Sequence, residues 1–255
     1  MIPIVPTHIS LYAKPSISNL STNHEIPTDL EDQSLTSDRG HGSNTDWQNT
    51  KRLGITPSQH LRRHFVALAR RIKHWSSPVQ RPVKIGVTSL DRKVGKSTIA
   101  FNLAAALARI EVDRVLLVES DFGKHFISRR LGSGGSPGLS EIISSAVEPS
   151  ECILSTPINR LSVLGSGHIS EQESVEMPFD RLGPVLEEDF SQFGYLVFDL
   201  PVASDLTSCY SLLPHIDGVV IAVEADKIDQ KQIARAKNRI AQSGADLVGL
   251  IINRA

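Results

Sequence analysis

The 255-residue chain has only two cysteines, Cys152 and Cys209, and neither stands at metal-ligand spacing from another candidate ligand. That argues against a disulfide framework and makes a reducing cytoplasm the expected compartment. No stretch approaches the ~18–20 consecutive apolar residues of a membrane span. The N-terminus, MIPIVPTHISLYAK, has no basic segment followed by a continuous apolar core, so it does not read as a secretion signal. Aromatic content of 5% and a net charge of −1 carry little information. No Ser/His/Asp or Cys/His signature for acyl transfer appears, and Ser120, between two acids, is a poor nucleophile. His60 and His64 could share a helix face, but no third metal ligand is apparent, so they read as surface histidines.

What the chain does have is an apolar content of 40%, enough for a real core, and one phosphate-binding signature. Residues 83–98 read VKIGVTSLDRKVGKST: an apolar strand, a short loop, Gly95-Lys96-Ser97-Thr98, then a helix with Ile99, Leu103, Ala106 and Leu107 at helical spacing. In such a loop the backbone N–H groups and the positive end of the helix hold a polyphosphate. Arg92, Lys93, Val94, Gly95, Lys96, Ser97 and Thr98 are the candidate phosphate cradle, with Lys96 on the outer phosphates and the Ser97 hydroxyl on Mg²⁺. The first glycine of the usual pattern is Leu90 here.

Residues 1–50 are rich in Ser and Thr and carry Glu25, Asp29, Glu31, Asp32, Asp38 and Asp46 against Lys14 and Arg39. With no sustained apolar period they are expected to form a disordered tail. The charge then reverses. Residues 51–90 contain no Asp or Glu but nine Lys and Arg, and within them Pro57 to His74 reads as an amphipathic helix with Leu61, Phe65, Leu68 and Ile72 on one side. Its basic face is either plainly solvated or a docking face for an acidic partner, a neighbouring subunit or anionic lipid. Nucleic acid is not expected, since Phe65 and Trp75 are the only aromatics nearby. From Val83 onward strands are expected at 83–89, 114–119, 161–164, 195–199, 217–223 and 247–252. Helices are expected near 97–110, 124–131, 138–146, 178–193 and 229–242. The nearly unbroken apolar runs VLLVE, YLVFD, GVVIAVE and LVGLII indicate a parallel sheet covered on both faces. The expectation is therefore a disordered tail (1–50), a basic linker and amphipathic helix (51–82), and a three-layer, doubly wound α/β P-loop domain (83–255) with its site at the carboxyl ends of the strands. Glu119, Asp121 and Asp199 stand at those ends, and with the Gly-Lys-Ser loop they fit one magnesium–nucleotide site.

VTSLDRKVGKSTIAFNLAAALA, RVLLVESDFGKHFISRRLG, PGLSEII, LSVLGSG, YLVFDLPV, GVVIAVEADKID and VGLIINR are similar, in order and spacing, to bacterial tyrosine kinases of polysaccharide synthesis and export, within the MinD/ParA group of P-loop ATPases. The resemblance covers about residues 58–255. It implies ATP and Mg²⁺ as cofactors, Lys96 and Ser97 in the Walker A role, and Glu119 and Asp121 on the second acidic motif that supplies metal and catalytic contacts. It also places Asp199 on Walker B and Asn253 where the family contacts the base. Lys96, Asp121 and Glu119 are thus the expected catalytic residues, and Ser97, Asp121 and Asp199 the expected metal ligands. A membrane polysaccharide co-polymerase and homo-oligomer formation are the implied partnerships, with membrane association only through that partner.

The departures from the pattern matter as much. The wider group's signature lysine is Asp91 here, as it is missing from the tyrosine-kinase branch. The family's Pro-Gly in the loop is Arg92-Lys93, its first acid is the longer Glu119, and the Arg two residues after the second acid is Gly123, with Lys124 and His125 next. The ring-assembly motif Glu-x-x-Arg-x-x-Arg reads Gln59-x-x-Arg62-x-x-Phe65. The given sequence stops two residues past Asn253, and its tyrosines are Tyr12, Tyr195 and Tyr210, so autokinase activity of the usual type is not expected. The alternatives are a non-catalytic nucleotide-dependent scaffold and a MinD/ParA-like positioning ATPase.

Overall fold

The computed structural model describes residues 9–12, 59–77, 82–111, 113–122, 124–169, 177–204, 212–227 and 229–253. The remainder of the expected tail, the start of the basic linker with Pro57 and Ser58, and Cys209, Tyr210 and Gly123 lie outside the described residues. In chain order the elements are β1 (Ile9–Tyr12), α1 (Gln59–Trp75), β2 (Val83–Ser89), α2 (Lys96–Ile110), β3 (Arg114–Glu119) and α3 (Phe126–Arg130). They continue with α4 (Leu139–Ile143), α5 (Pro149–Cys152), β4 (Ile153–Ser155), β5 (Leu161–Leu164), α6 (Leu182–Glu187) and β6 (Phe193–Asp199). The chain closes with β7 (Gly218–Glu224), α7 (Gln230–Gln242) and β8 (Asp246–Asn253). Three short 3₁₀ turns precede α6 and flank β7.

The eight strands form one sheet in the order β1-β8-β7-β2-β6-β3-β5-β4. The six from β8 to β5 are parallel, and β1 and β4 close the two edges antiparallel. Alternation along the strands divides the core in two. Val115, Leu117, Tyr195, Val197 and Val220 join α1 and α2 on one face, while Leu116, Val118, Leu196, Phe198 and Ile221 join α4, α6 and α7 on the other. This is the doubly wound, mostly parallel architecture read from the apolar runs.

Four residues of the expected disordered tail depart from that expectation: Ile9–Tyr12 pair with Leu250–Asn253 as an edge strand. The single helix expected over 178–193 is also replaced, by a 3₁₀ turn at Phe179–Arg181 and the six-residue α6. Pro178 and Pro184 lack a backbone donor and Gly183 is a weak helix former, so the segment cannot run on as one rod.

Helix α1 docks by the predicted stripe. Leu61, Phe65, Leu68 and Ile72 are buried, whereas Arg63, Arg70, Lys73 and His74 are exposed. Lys73 pairs with Glu111 at the end of α2 at 3.1 Å, and the Trp75 indole N–H donates to Asp246 at 3.3 Å. Trp75 packs so closely on Gly218 that a Cβ there would lie 2.5 Å from the ring. Phe65 is fully enclosed at 0% exposure, so the third position of the ring-assembly pattern is a core residue in this chain. Replacing it (Phe65→Ala) should cost about 3–5 kcal/mol of stability by leaving a cavity in the core beneath α1. Urea unfolding measures this, and a loss under about 1 kcal/mol would show that α1 is not part of the folded core.

Candidate functional site

The phosphate loop leaves β2, the central strand, and ends on α2. Gly95 caps that helix with φ +85°, a left-handed conformation that glycine adopts without a Cβ clash. Twelve of the fifteen residues of α2 are buried, so the helix is packed all round and cannot shift without disturbing the core. Leu90, where the motif's first glycine would stand, is buried, and its N–H donates to the Ala222 carbonyl of β7 at 3.3 Å. Loop entry is therefore fixed by packing. Lys93, at the place of the family's glycine, takes φ +68°. The loop thus takes a left-handed backbone there, with a side chain for which that conformation costs roughly 1 kcal/mol.

Lys96 is the centre of the site. Its ammonium lies 2.6 Å from Asp199 Oδ1 and 3.0 Å from Asp121 Oδ2, with 6% of its side chain exposed. Burial alone would lower its pKa, but the two carboxylates outweigh that and hold it above the ordinary lysine value. Asp199 is pushed up, chiefly by burial and further by Asp121, with Lys96 and the nearby Ser97 hydroxyl opposing. Its second oxygen, Oδ2, is buried without a hydrogen-bond partner. The backbone carbonyl of Asp199 is anchored from β3, accepting the Ser120 N–H at 3.2 Å and the Ser120 hydroxyl at 3.0 Å. Ser120 thus holds the end of β6 in place rather than acting as a nucleophile. Sequence reasoning missed that role, although a hydroxyl between two strand-end acids was its one signal.

Asp121 Oδ2 also contacts the Lys124 ammonium, so one carboxylate oxygen carries two lysines. Glu119 points elsewhere. Its oxygens accept the backbone N–H groups of Ile127 at 2.7 Å and Ser128 at 3.3 Å, at the start of α3. Burial raises its pKa against those hydrogen bonds. The extra methylene of Glu119 relative to aspartate is what lets the carboxylate span from β3 to α3. Residue His125 enters α3 with φ +46°, its Nδ1 2.9 Å from the Ser166 hydroxyl.

Of the other expected site residues, Val94 and Thr98 are buried, Gly95 and Ser97 partly so, and Arg92 and Lys93 point outward. Asn253, at the end of β8, is fully buried; its amide donates to the Val94 carbonyl at 2.8 Å, while its Oδ1 has no partner. It therefore ties β8 to the phosphate loop. Asp91 is half-exposed and close enough to Lys227 to raise that lysine's pKa, behind the direct pairing with Glu224. The structure thus converges Lys96, Asp121, Asp199 and Ser97, hangs Asn253 behind the loop, and keeps Glu119 on α3. No group of three or more His, Cys, Asp or Glu side chains able to hold a metal occurs among the described residues. Mg²⁺ does not require one, since it takes one or two carboxylates and keeps waters and phosphate oxygens as its other ligands.

Fold and loop together give the three-layer α/β architecture of P-loop proteins, which solved bacterial tyrosine-kinase domains and MinD proteins share. Relatives of this chain include bacterial tyrosine-protein kinases. Tyrosine-protein kinase CpsD of Streptococcus agalactiae is 25% identical over 171 residues, covering 67% of this chain and 74% of the relative. YwqD of Bacillus subtilis is 26% identical over 176 residues, covering 69% and 74%. Among solved structures, the chimerical protein CapA2B2 superposes with a TM-score of 0.65 at 25% identity, over 75% of this chain and 83% of that one. The septum site-determining protein MinD of Pyrococcus horikoshii, complexed with Mg-ADP, shares the fold at 16% identity and a TM-score of 0.55, over 65% of this chain and 68% of that one. No family model matches the chain.

Two predictions follow from this geometry. In the ligand-free protein, Lys96→Met leaves Asp121 and Asp199 buried without their shared cation, which costs about 3–5 kcal/mol when one partner of a buried pair is removed. Asp199, already pushed up by burial and now without the opposing Lys96, holds its proton more tightly folded than unfolded, so the deficit grows as pH rises through its folded-state pKa and shrinks on acidification. Urea unfolding at pH 8 and pH 5 should show the larger deficit at pH 8; equal deficits would show that Lys96 does not hold Asp199 charged. For the loop, Lys93→Gly should be neutral or mildly stabilising. The β-branched Lys93→Val should lose about 1–2 kcal/mol, and an unshifted melting temperature for that variant would contradict the left-handed backbone.

Proposed function

We propose that the chain binds Mg·ATP at this loop and acts as a P-loop protein of the bacterial tyrosine-kinase type, hydrolysing ATP or transferring its γ-phosphoryl group to a protein hydroxyl. The observation that carries the reading is the buried Lys96 ammonium, held between two strand-end carboxylates at the mouth of a parallel sheet. A cation so deeply placed is otherwise costly to bury, and it stands where a polyphosphate would enter. Ser97, Asp121 and Asp199 would hold Mg²⁺, and the unpartnered Oδ2 of Asp199 is an acceptor suited to it. Bound there, the ion would neutralise charge on the outer phosphates. The chain's own contribution is positional. The amides of residues 92–98 would cradle the inner phosphates, Lys96 would exchange its carboxylates for phosphate oxygens, and Asn253 would set the loop's distance from the base.

A second reading, a nucleotide-dependent scaffold without turnover, is favoured by one observation: both oxygens of Glu119 are engaged by α3. Tyr195 is fully buried and offers no phosphate acceptor in the folded chain. Of the two other tyrosines, Tyr12 lies in β1 and Tyr210 outside the described residues. The basic face of α1 is the candidate docking surface for a membrane polysaccharide co-polymerase or for a second copy of the chain. A cytoplasmic location, at the membrane only through such a partner, goes with that reading. No described helix is long and apolar enough to cross a membrane.

Calorimetric titration with Mg·ATP tests the assignment. Wild type should bind and Lys96→Met should bind at least tenfold more weakly; equal affinities would overturn it. In a single-turnover reaction with γ-labelled ATP, release or transfer of label supports the enzyme, whereas binding without any product selects the scaffold.

A further inference from the structure

Lys124 is the feature of the site that the phosphate loop does not account for. It lies beyond β3 rather than in the loop, and its ammonium meets the same Asp121 oxygen that Lys96 meets. Two ammonium groups on one oxygen stand at most two ion-pair lengths apart, an arrangement that is repulsive unless an anion lies between them. Asp121 supplies that anion in the absence of ligand. The two lysines differ in freedom. Lys96 is 6% exposed and fixed by two carboxylates, whereas Lys124 is 38% exposed and pairs with Asp121. A lysine of that kind can swing on its four-carbon stem.

Strand order gives the direction of approach. The loop follows β2, and β3 stands two places away with β6 and its Asp199 between them. Inner phosphates are wrapped by loop amides, so a cation arriving from beyond β6 meets the end of the polyphosphate farthest from the loop. Resting on the reading of the site given above, we propose that Lys124 is a γ-phosphate contact: Asp121 holds it in the ligand-free protein and yields it to the terminal phosphate when a nucleoside triphosphate binds. The second lysine of this site would then come from the loop after β3, which makes the site's grip on nucleotide depend on the third phosphate.

The test is the ratio of affinities for ATP and ADP, each titrated with MgCl₂ into the full chain and into Lys124→Ala and Lys124→Arg. A charge-assisted contact of this kind predicts that Lys124→Ala weakens ATP about tenfold or more and leaves ADP within about twofold, and that Lys124→Arg restores most of the discrimination. Circular dichroism and melting curves confirm that the variants fold; should the alanine variant fail, Lys124→Met takes its place. An unchanged ATP-to-ADP ratio in the alanine variant, or an equal loss of both nucleotides, would overturn the proposal while leaving the nucleotide site in place. Absence of any nucleotide binding by wild type would instead defeat the site reading itself.

Discussion

The buried ion cluster of Lys96 with Asp199 and Asp121 is the constraint around which the rest of the molecule is arranged. Three charged groups nearly excluded from water are tolerable only because each satisfies the others and because the backbone holds them at ion-pair distance. Each member comes from a different strand end: Lys96 from the loop after β2, Asp199 from the end of β6, Asp121 from just past β3. Their convergence therefore requires the parallel register of β2, β6 and β3, and that register requires the apolar faces filled by α1 and α2 on one side and α4, α6 and α7 on the other. A change in core packing is in this sense a change in the site.

On the proposed reading, the same cluster explains how the protein stays folded with a lysine buried at the loop. The carboxylates would hold the place of phosphate oxygens, and nucleotide binding would be an exchange of anionic partners around Lys96 rather than the creation of a charged site from nothing. Asn253 and Ser120 brace the cluster from behind, one fastening the loop to β8 and the other the end of β6 to β3. Glu119 is assigned to a different task. By reaching the amides that open α3 it fixes the segment that carries Lys124 and His125, so its effect on the site passes through the backbone.

Much of this was legible in the residues. Gly95-Lys96-Ser97 after an apolar strand, Asp121 just past VLLVE and Asp199 closing YLVFD, located the cluster because a covered parallel sheet leaves its strand ends as the place for polar chemistry. Six strands were readable for the same reason: runs buried on both faces are apolar throughout. What escaped was governed by tertiary context. Ile9–Tyr12 is too short to show a period and is a strand only because β8 offers an edge. Ile153–Ser155 at the opposite edge is of the same kind. The 178–193 segment has helical composition, but two prolines and a glycine break it. Glu119 looked like a site acid because spacing along β3 cannot reveal which way a longer side chain turns. Lys124 differed from its neighbours only through its contact with Asp121.

A crystal structure with ATP and Mn²⁺, the metal located by its anomalous signal, tests the central claim most directly. The account predicts a metal peak against Asp199, Asp121 and Ser97, with the Lys96 ammonium moved from the carboxylates onto the phosphates. A nucleotide bound elsewhere, or a Lys96 still paired with both aspartates beside a bound nucleotide, would contradict it.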